Sequence, residues 1–415
     1  MTKSIAGIVV EYNPMHNGHL FHLEQTKKMT NCDSIVAVMS GNFVQRGEPA
    51  FINKWARTKM ALMGGVDLVL ELPLLYSISS AEGFAFGAIS TLNKLGVVDY
   101  VCFGSESGDI EILNFIANIL SQEPASFKSF LQNELKSGIS FPKARQNALT
   151  NYIITNNFAN VNPNIAEIAV QSSNNILAIE YIKALIKISS NIKPITINRI
   201  SNHYNDVNLT GNISSATSIR HNYVNNRNVS VALPDYANRI IAAEIANDRG
   251  PVTLDHFSDI LLYKIRTSDE KYLKNLLDIE VGLNYSLKRA AENSNTVTEL
   301  LEKLKNKRYT KTRLQRILLY ALLDINSDKL EKIKMEPDYI RVLGFNSKGK
   351  AILNQIKKDC SVPIISSPSA KDAELLKHDI IATDTYVLGY ENSAYKFAKQ
   401  DLKTPPIILQ EWKHN

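Results

Sequence analysis

The sequence predicts an α/β fold: a doubly wound parallel sheet in the N-terminal part, followed by a mostly helical part. Over about the first 120 residues, short apolar runs alternate with segments of helical period, the pattern of a parallel sheet with helices on both faces. Beyond about Pro234, strand-like runs become scarce and amphipathic segments follow one another. We therefore expect a first domain over residues 1–230, with a helical insertion near 122–190, and a mostly helical domain over 231–415.

The predicted strands and helices of the first domain alternate along the chain. The strands are Ile5 to Val10, Ser34 to Met39, Asp67 to Leu72 and Tyr100 to Phe103, and the helices lie near Leu20 to Met29, Lys54 to Met63 and Ala81 to Leu95. A later strand-like run, Pro194 to Ile200, indicates that the sheet resumes after the helical insertion. Since ligands bind at the carboxyl ends of the strands in such sheets, we expect the site in the turns that follow them.

Amphipathic segments dominate the second half of the chain. They are Leu254 to Ile265, Asp269 to Leu277, Tyr285 to Glu292, Thr296 to Leu304 and Leu314 to Leu323. The last 80 or so residues are mixed in pattern, with a helix expected from Lys350 to Lys358. These features predict helical packing around an apolar stripe on each helix.

Composition places the chain among globular proteins and excludes several classes. Hydrophobic residues make up 44% and charged residues 21% of 415 residues, with a net charge of +6. No apolar run is long enough to span a bilayer and the first residues carry no cleavage site, so we expect a cytoplasmic protein. The three cysteines, Cys32, Cys102 and Cys360, are too far apart to suggest a disulfide framework or a zinc site.

The tetrad His16-Asn17-Gly18-His19 directly follows the first predicted strand and opens a helix. At such a point, free backbone N–H groups and the positive end of the helix dipole favour an anion. His16 and His19 lie within one helical turn, so both could donate hydrogen bonds to a phosphoryl oxygen as charge develops there. The alternative is structural: one histidine caps the turn while the other packs between sheet and helix.

A second phosphate element is the segment from Ser214 to Arg220. Hydroxyl groups at a helix start can cap the helix and bind phosphate oxygens, and an arginine one turn later can bind them in a bidentate manner. Alone, the segment would be a Ser/Thr cap followed by a surface arginine. Together with the histidine tetrad, it favours a polyphosphate.

These two elements resemble the HIGH-motif nucleotidyltransferases and class I aminoacyl-tRNA synthetases, which carry HxGH early and an ISATxIR-like segment late. Ser215, Thr217, Ile219 and Arg220 match, whereas Ser214 replaces the usual leading isoleucine. The resemblance implies a Rossmann-like sheet of the HIGH nucleotidyltransferase type.

A narrower resemblance covers most of the first 220 residues. The segments Gly7 to His19, Met39 to Gly47, Asp67 to Pro73, Cys102 to Glu106 and Asn174 to Tyr181 are similar to those of the bacterial tRNA(Met) cytidine acetate ligases. This implies that acetate and ATP form acetyl-adenylate, and that the acetyl group passes to N4 of the wobble cytidine of elongator tRNA(Met). Mg²⁺ would bridge the phosphates of ATP, with no metal site in the protein itself.

The resemblance implies His16 and His19 as catalytic residues that stabilise the α-phosphate and the leaving pyrophosphate. The implied ATP-binding residues are Gly7, Ile8, Val9, Val10, Glu11, Tyr12, Asn13, Pro14, Met15, His16, Asn17, Gly18, His19, Leu20, Gly104, Asn175, Arg199, Thr217 and Arg220. Gly104, Asn175 and Arg199 also have structural interpretations: a turn glycine, a helix start and a strand-end surface charge. Lys54 and Arg57 share a helix face and could meet phosphate or acetate, or they could be solvated.

A basic cluster in the C-terminal half is the candidate tRNA surface. Its residues are Lys303, Lys305, Lys307, Arg308, Lys311, Arg313 and Arg316. Such a density of positive charge can track phosphates, and its affinity for RNA would fall with salt. The alternative is a solvated helix face, since apolar residues of the same segment form a buried stripe. A less focused basic group comprises Arg341, Lys348, Lys350, Lys357 and Lys358.

Two other functions compete with the tRNA-modifying ligase. One is a nucleotidyltransferase that transfers AMP to a small phosphorylated metabolite, which would need an additional cationic pocket. The other is an RNA-binding protein on a degenerate nucleotide-binding fold. The presence of His16, His19 and Arg220 together argues against the second.

Overall fold

A computed structural model of the chain describes residues 4–139, 141–156, 158, 170, 172–199, 212–306, 308–356 and 360–410. The strands among them are β1 (Ile5–Val10), β2 (Ser34–Ser40), β3 (Phe43–Val44), β4 (Glu48–Pro49), β5 (Leu68–Leu72), β6 (Tyr100–Ser105), β7 (Lys193–Asn198), β8 (Ile340–Phe345), β9 (Ile364–Ile365) and β10 (Ile407–Ile408).

Helices precede, follow and separate these strands. In chain order they are α1 (Asn17–Thr30), α2 (Lys54–Met63), α3 (Leu74–Ser77), α4 (Ala81–Lys94), α5 (Ile110–Gln122), α6 (Ala125–Lys136), α7 (Phe141–Asn156), α8 (Ser173–Lys187), α9 (Ala216–Val224), α10 (Asp235–Ala246), α11 (Ser258–Thr267), α12 (Glu270–Lys274), α13 (Leu283–Glu292), α14 (Val297–Leu304), α15 (Lys311–Leu322), α16 (Leu330–Lys334), α17 (Ser347–Ile356), α18 (Lys377–Tyr386) and α19 (Gln400–Lys403).

The main sheet has the strand order β10-β8-β5-β2-β1-β6-β7, with β9 paired to β8. β1 is an inner strand that pairs in parallel with β2 and β6, and β6 pairs in parallel with β7. The carboxyl ends of these four strands therefore meet at one edge of the sheet. β2 is buried at every position, as expected for a parallel strand covered by helices on both faces. A short antiparallel hairpin, β3–β4, stands beside this edge.

The predicted α/β fold is confirmed. Helix α2 has the bounds that were predicted for it, and β7 resumes the sheet after helices α5 to α8. One difference is that β8 joins the sheet antiparallel to β5, so the sheet is mixed rather than purely parallel. The division into domains at residue 230 stays a prediction, and β8 and β10 show that the sheet itself draws on both parts of the chain.

A buried cluster of charged side chains links the C-terminal segment to the sheet. Lys54 of α2 is fully buried, and its Nζ lies 2.7 Å from Glu71 Oε1 and 2.6 Å from Asp401 Oδ1. Burial raises the pKa of the Glu71 carboxyl, and the neighbouring Lys54 opposes this shift. Because Asp401 belongs to α19, the cluster connects the last described helix with β5 and α2. Among the described residues, no helix has the length and apolar character needed to cross a membrane.

Candidate active site

A cavity of about 410 Å³ opens at the carboxyl edge of the sheet. Its walls are formed by the loop from β1 into α1, hairpin β3–β4, the ends of β6 and β7, and the starts of α4, α8, α9 and α15. The lining residues are Val9, Val10, Glu11, Tyr12, Asn13, His16, Gly18, His19, Phe21, His22, Val44, Gln45, Arg46, Glu48, Ala81, Phe84, Phe103, Gly104, Ser173, Asn174, Ile176, Leu177, Tyr181, Ile197, Asn198, Arg199, Ile213, Ser214, Ser215, Ala216, Arg220, Thr312 and Arg316. The two elements predicted to bind phosphate therefore share one cavity.

The two histidines of the tetrad form the cap of helix α1. His16 Nδ1 accepts a hydrogen bond from the Gly18 N–H at 3.1 Å, and His19 Nδ1 accepts one from the His16 N–H at 3.2 Å. The rings are stacked with centroids 3.8 Å apart. Since a backbone N–H can only donate, neither Nδ1 carries the proton. Each neutral ring therefore has its proton on Nε2. The hydrogen bonds that cap the helix thus leave Nε2 of both rings as a hydrogen-bond donor.

Gly18 is required for this arrangement. A Cβ built at Gly18 would lie only 2.9 Å from His16 Cε1, closer than carbon atoms can pack. The missing side chain lets the backbone of α1 lie against the imidazole of His16. This explains physically why glycine separates the two histidines.

Burial keeps these imidazoles neutral. It lowers the pKa of His16 to about 3, and the positive charges of Arg199 and Arg220 add to this effect. The pKa of His19 is lowered well below its usual value, first by burial and then by the neighbouring His16. At neutral pH the site thus presents two uncharged donors, with positive charge supplied by the arginines.

His22 is a cavity residue that the sequence interpretation missed. It lies three residues after His19, on the same side of α1, and its Nε2 is buried without a hydrogen-bond partner among the described residues. Burial, together with Arg199, lowers the pKa of His22 to about 4. The signal that could have found it is the repeated three-residue spacing of His16, His19 and His22.

The segment from residue 7 to 20 divides into cavity residues and packing residues. Val9, Val10, Glu11, Tyr12, Asn13, His16, Gly18 and His19 line the cavity, whereas Gly7, Ile8, Pro14, Met15, Asn17 and Leu20 lie outside its wall. Strand alternation explains part of this, because Ile8 points into the core and Gly7 packs against Leu92 of α4. Asn17 instead donates to the backbone carbonyls of Asn212 and Val231.

Of the three further nucleotide candidates, Gly104 and Arg199 line the cavity and Asn175 does not. Asn175 is fully buried, and its Oδ1 accepts hydrogen bonds from the N–H groups of Glu106 and Ser107. It therefore holds the loop after β6 against α8, and its neighbour Asn174 faces the cavity. A Cβ at Gly104 would meet the side chain of Arg199 at 3.0 Å, so this glycine makes room for the arginine.

The second phosphate element begins helix α9. Ser215 is the N-cap, and its Oγ accepts a hydrogen bond from the Ser218 N–H at 3.1 Å. Ser214, Ser215 and Arg220 line the cavity, whereas Thr217 is not part of its wall. Arg220 donates to the Asn13 carbonyl at 2.8 Å and lies 3.2 Å from Glu48 of the hairpin. Its guanidinium thereby connects α9 with the loop before α1.

Lys54 and Arg57 lie outside the cavity, which corrects both interpretations of this pair. Arg57 is fully buried and donates to the backbone carbonyls of Glu11, at 2.7 Å, and Ser40, at 3.0 Å, besides those of Ile52 and Gly41. Neither charge is solvated or faces a ligand. Arg57 fixes the ends of β1 and β2, which positions the loop that carries the histidines.

The residues of the basic cluster differ in their ion-pair partners and in their exposure. Arg313 pairs with Asp278 and Glu280 at 2.8 Å each, and Arg308 pairs with Glu280 as well. Lys303, Lys305 and Lys311 are exposed, and Lys307 lies outside the described residues. Arg316 lines the cavity from α15 rather than facing outward. Of the less focused basic group, Arg341 is buried and donates to backbone carbonyls, while Lys357 and Lys358 lie outside the described residues.

Comparison with known proteins decides the family. The HIGH nucleotidyl transferase profile matches residues 3–401. A tRNA(Met) cytidine acetate ligase of Acetivibrio thermocellus is 47% identical over 98% of this chain and 100% of that protein. The chain belongs to the tRNA(Met) cytidine acetate ligase family. A ligase of the same name from Clostridium perfringens is 45% identical over 98% of this chain and its own full length, so the resemblance on which the site was predicted is confirmed.

Two solved structures of a family member share the fold. Apo Thermotoga maritima TmcAL has a TM-score of 0.94 and 38% identity, covering 98% of this chain and 100% of that one. The same protein bound with alpha-thio ATP has a TM-score of 0.91 at the same identity and coverage. That second structure records an ATP analogue on this fold. Among the described residues of the present chain, no group of three or more His, Cys, Asp or Glu side chains is placed to hold a metal ion.

Proposed function

We propose that this protein is an ATP-dependent ligase that activates acetate as acetyl-adenylate and acetylates N4 of the wobble cytidine of elongator tRNA(Met). The full-length similarity to proteins named tRNA(Met) cytidine acetate ligase carries the proposal. The cavity supports it, because two neutral histidine donors, the start of α9, Arg199 and Arg220 all line it. The reaction would take place in the cytoplasm, where tRNA serves translation.

In the first step, a carboxylate oxygen of acetate would attack the α-phosphorus of ATP and pyrophosphate would leave. Acetate is already ionised at neutral pH, so the step needs positioning and charge stabilisation more than a base. His16 and His19 would donate from Nε2 to the α-phosphoryl oxygens, where negative charge grows in the transition state. Because both rings are neutral, their donation does not depend on protonation near pH 7.

Arg220 and the start of α9 would hold the pyrophosphate end of ATP. Arg220 pairs with Glu48, which is half-buried, so phosphate would have to compete with this carboxylate. Arg199 and Gly104 would face the nucleoside, with Asn174 in place of the predicted Asn175. Mg²⁺ would enter on the phosphates of ATP, and the Glu48 carboxylate, which lines the cavity beside Arg220, is the kind of ligand that Mg²⁺ uses beside substrate phosphates.

The tRNA would approach from the side of α14 and α15. Lys303, Lys305, Arg308 and Lys311 are exposed there, and their charge would draw phosphates to this face. Arg313 would contribute less, because two carboxylates already pair with it. Arg316 would act inside the cavity instead.

Exchange of labelled pyrophosphate into ATP tests the first step. We expect exchange that requires acetate and does not require tRNA, and acetyl transfer when elongator tRNA(Met) is added. Initiator tRNA(Met) and acetate-free reactions are the controls. Adenylylation of a phosphorylated metabolite without acetate would favour the alternative nucleotidyltransferase, and tRNA binding without any turnover of ATP would contradict both enzymes.

A further inference from the structure

The residues that line the cavity come from both faces of the sheet, and we call these two sides of the cavity its first and second lobes. Along β1, Ile8 and Val10 pack with the core on the α1 side, whereas Val9 packs with the core on the side of α4 and α8. Glu11 continues this alternation and follows Val9 towards the second side. The histidines of α1 and Arg199 belong to the first lobe, and Phe84, Phe103, Leu177 and Tyr181 belong to the second.

The second lobe is lined by aromatic and apolar side chains, and Glu11, the residue that follows β1, also lines the cavity. The rings of Phe103 and Tyr181 lie with centroids 5.5 Å apart. Glu11 Oε1 accepts a hydrogen bond from the Gln45 N–H at 2.8 Å. Burial raises the pKa of the Tyr181 hydroxyl, and the negative charge of Glu11 adds to this effect.

The two lobes differ in the charged residues that act on them. The positive charge of Arg199 lowers the pKa of all three histidines of α1. The pKa of Glu11 is instead lowered by Arg46, Arg220 and Arg57, which oppose the effect of its burial. Arg220 donates to the carbonyl of Asn13, which lies between Glu11 and His16 in the loop after β1, and its charge lowers the pKa of both side chains. Phosphates favour the first lobe, with its donors and arginines. The Glu11 carboxylate, when ionised, can only accept hydrogen bonds, so together with the aromatic side chains it favours a flat ligand that carries an amino group.

We propose that the second lobe binds the acceptor base, a cytosine turned out of its RNA loop, and that Glu11 is the general base for acetyl transfer. The inference rests on the proposed function and deepens it. The aromatic walls would stack the base, as proteins do with single-stranded RNA bases, and the Glu11 carboxylate would accept a hydrogen bond from N4. The base would then meet the acetyl group of acetyl-adenylate where the two lobes join.

The transfer step balances without another reactant. The N4 nitrogen attacks the carbonyl carbon of acetyl-adenylate and forms the amide bond, while the bond between that carbon and the bridging oxygen breaks. AMP leaves with the electron pair, and the proton of N4 passes to the Glu11 carboxylate and then to water. Burial of Glu11 raises the pKa of its carboxyl, which brings a general base closer to working pH.

Glu11→Gln tests the role of the carboxylate, because glutamine keeps the shape and an acceptor for Gln45. We expect acetyl transfer to fall by about 100-fold or more, and acetate-dependent pyrophosphate exchange to fall by less than about tenfold. Glu111→Gln, on the exposed side of α5, is the matched control. An equal loss in both assays, or an unimpaired transfer, would overturn the assignment. A wild-type protein without acetate-dependent exchange would instead overturn the proposed function.

Leu177→Trp tests the pocket independently of Glu11. Leu177 is only partly buried, so the larger ring can be accommodated while it fills the lobe. We expect the KM for tRNA in acetyl transfer to rise more than tenfold, with the Kd for ATP, measured by calorimetry, within threefold of wild type. Leu135→Trp, the same substitution at an exposed position of α6 outside the cavity, is the control and should behave as wild type. If the affinity for ATP falls instead, the second lobe holds adenine and the proposal is wrong.

Discussion

His16 has two roles that can be separated by substitution. Its Nδ1 caps helix α1, and its Nε2 is the proposed donor to the α-phosphate. His16→Ala removes both, whereas His16→Asn keeps a good capping side chain but offers no donor where the imidazole Nε2 lies. A cap contributes about 1 kcal/mol to stability, and one donor to a transition-state oxyanion contributes about 3 to 4 kcal/mol, or roughly 10²- to 10³-fold in rate.

We therefore expect His16→Ala to lose about 1 kcal/mol in the free energy of unfolding and roughly 10²- to 10³-fold in pyrophosphate exchange. His16→Asn should lose the same factor in exchange with less than about 0.5 kcal/mol of stability. Urea unfolding gives the first quantity, and exchange at saturating ATP and acetate gives the second. The reasoning is refuted if His16→Ala loses stability but each folded molecule exchanges at the wild-type rate, since His16 would then be a cap alone.

Three further predictions concern buried or misassigned charges. Lys54→Met should lower the free energy of unfolding by about 3 to 5 kcal/mol, because it leaves two buried carboxylates uncompensated; a urea midpoint like that of wild type would contradict this. Arg316→Ala should reduce pyrophosphate exchange and leave the salt dependence of tRNA binding unchanged. Lys311→Ala should instead lower the slope of log binding constant against log salt concentration by about 1. The reverse pattern would assign Arg316 to the RNA-binding surface. His22→Gln should reduce the amount of unfolding free energy that the protein loses as the pH falls. The unfolded imidazole binds a proton near pH 6.5 and the folded one only near pH 4, so wild type loses stability as pH falls through this window; equal losses for both proteins would refute the burial argument.

The parts of the site that lie close together in the sequence could be predicted from it. The strand, turn and helix around His16 and His19, and the Ser215 cap of α9, follow from local rules of periodicity and capping. These rules place an anion site without any tertiary information. Strand alternation could also have placed Ile8 in the core.

What the sequence could not show depends on contacts between distant residues. A charged pair such as Lys54 and Arg57 looks solvated until Asp401, far along the chain, supplies a buried partner. Arg316 enters the cavity because Gln315 of the same helix contacts Glu48 of the hairpin at 3.0 Å. The antiparallel entry of β8 likewise depends on the free edge of β5 and not on any local signal.

The central claim is that an oxygen of acetate becomes bonded to the α-phosphorus. Reaction of ATP and elongator tRNA(Met) with acetate labelled in both oxygens by ¹⁸O, followed by mass spectrometry of the nucleotide product and of the modified nucleoside, tests it directly. Acetyl-adenylate formation predicts AMP with one ¹⁸O in its phosphate, and N4-acetylcytidine that keeps the other ¹⁸O. Unlabelled AMP, or ADP with label in inorganic phosphate, would contradict the account.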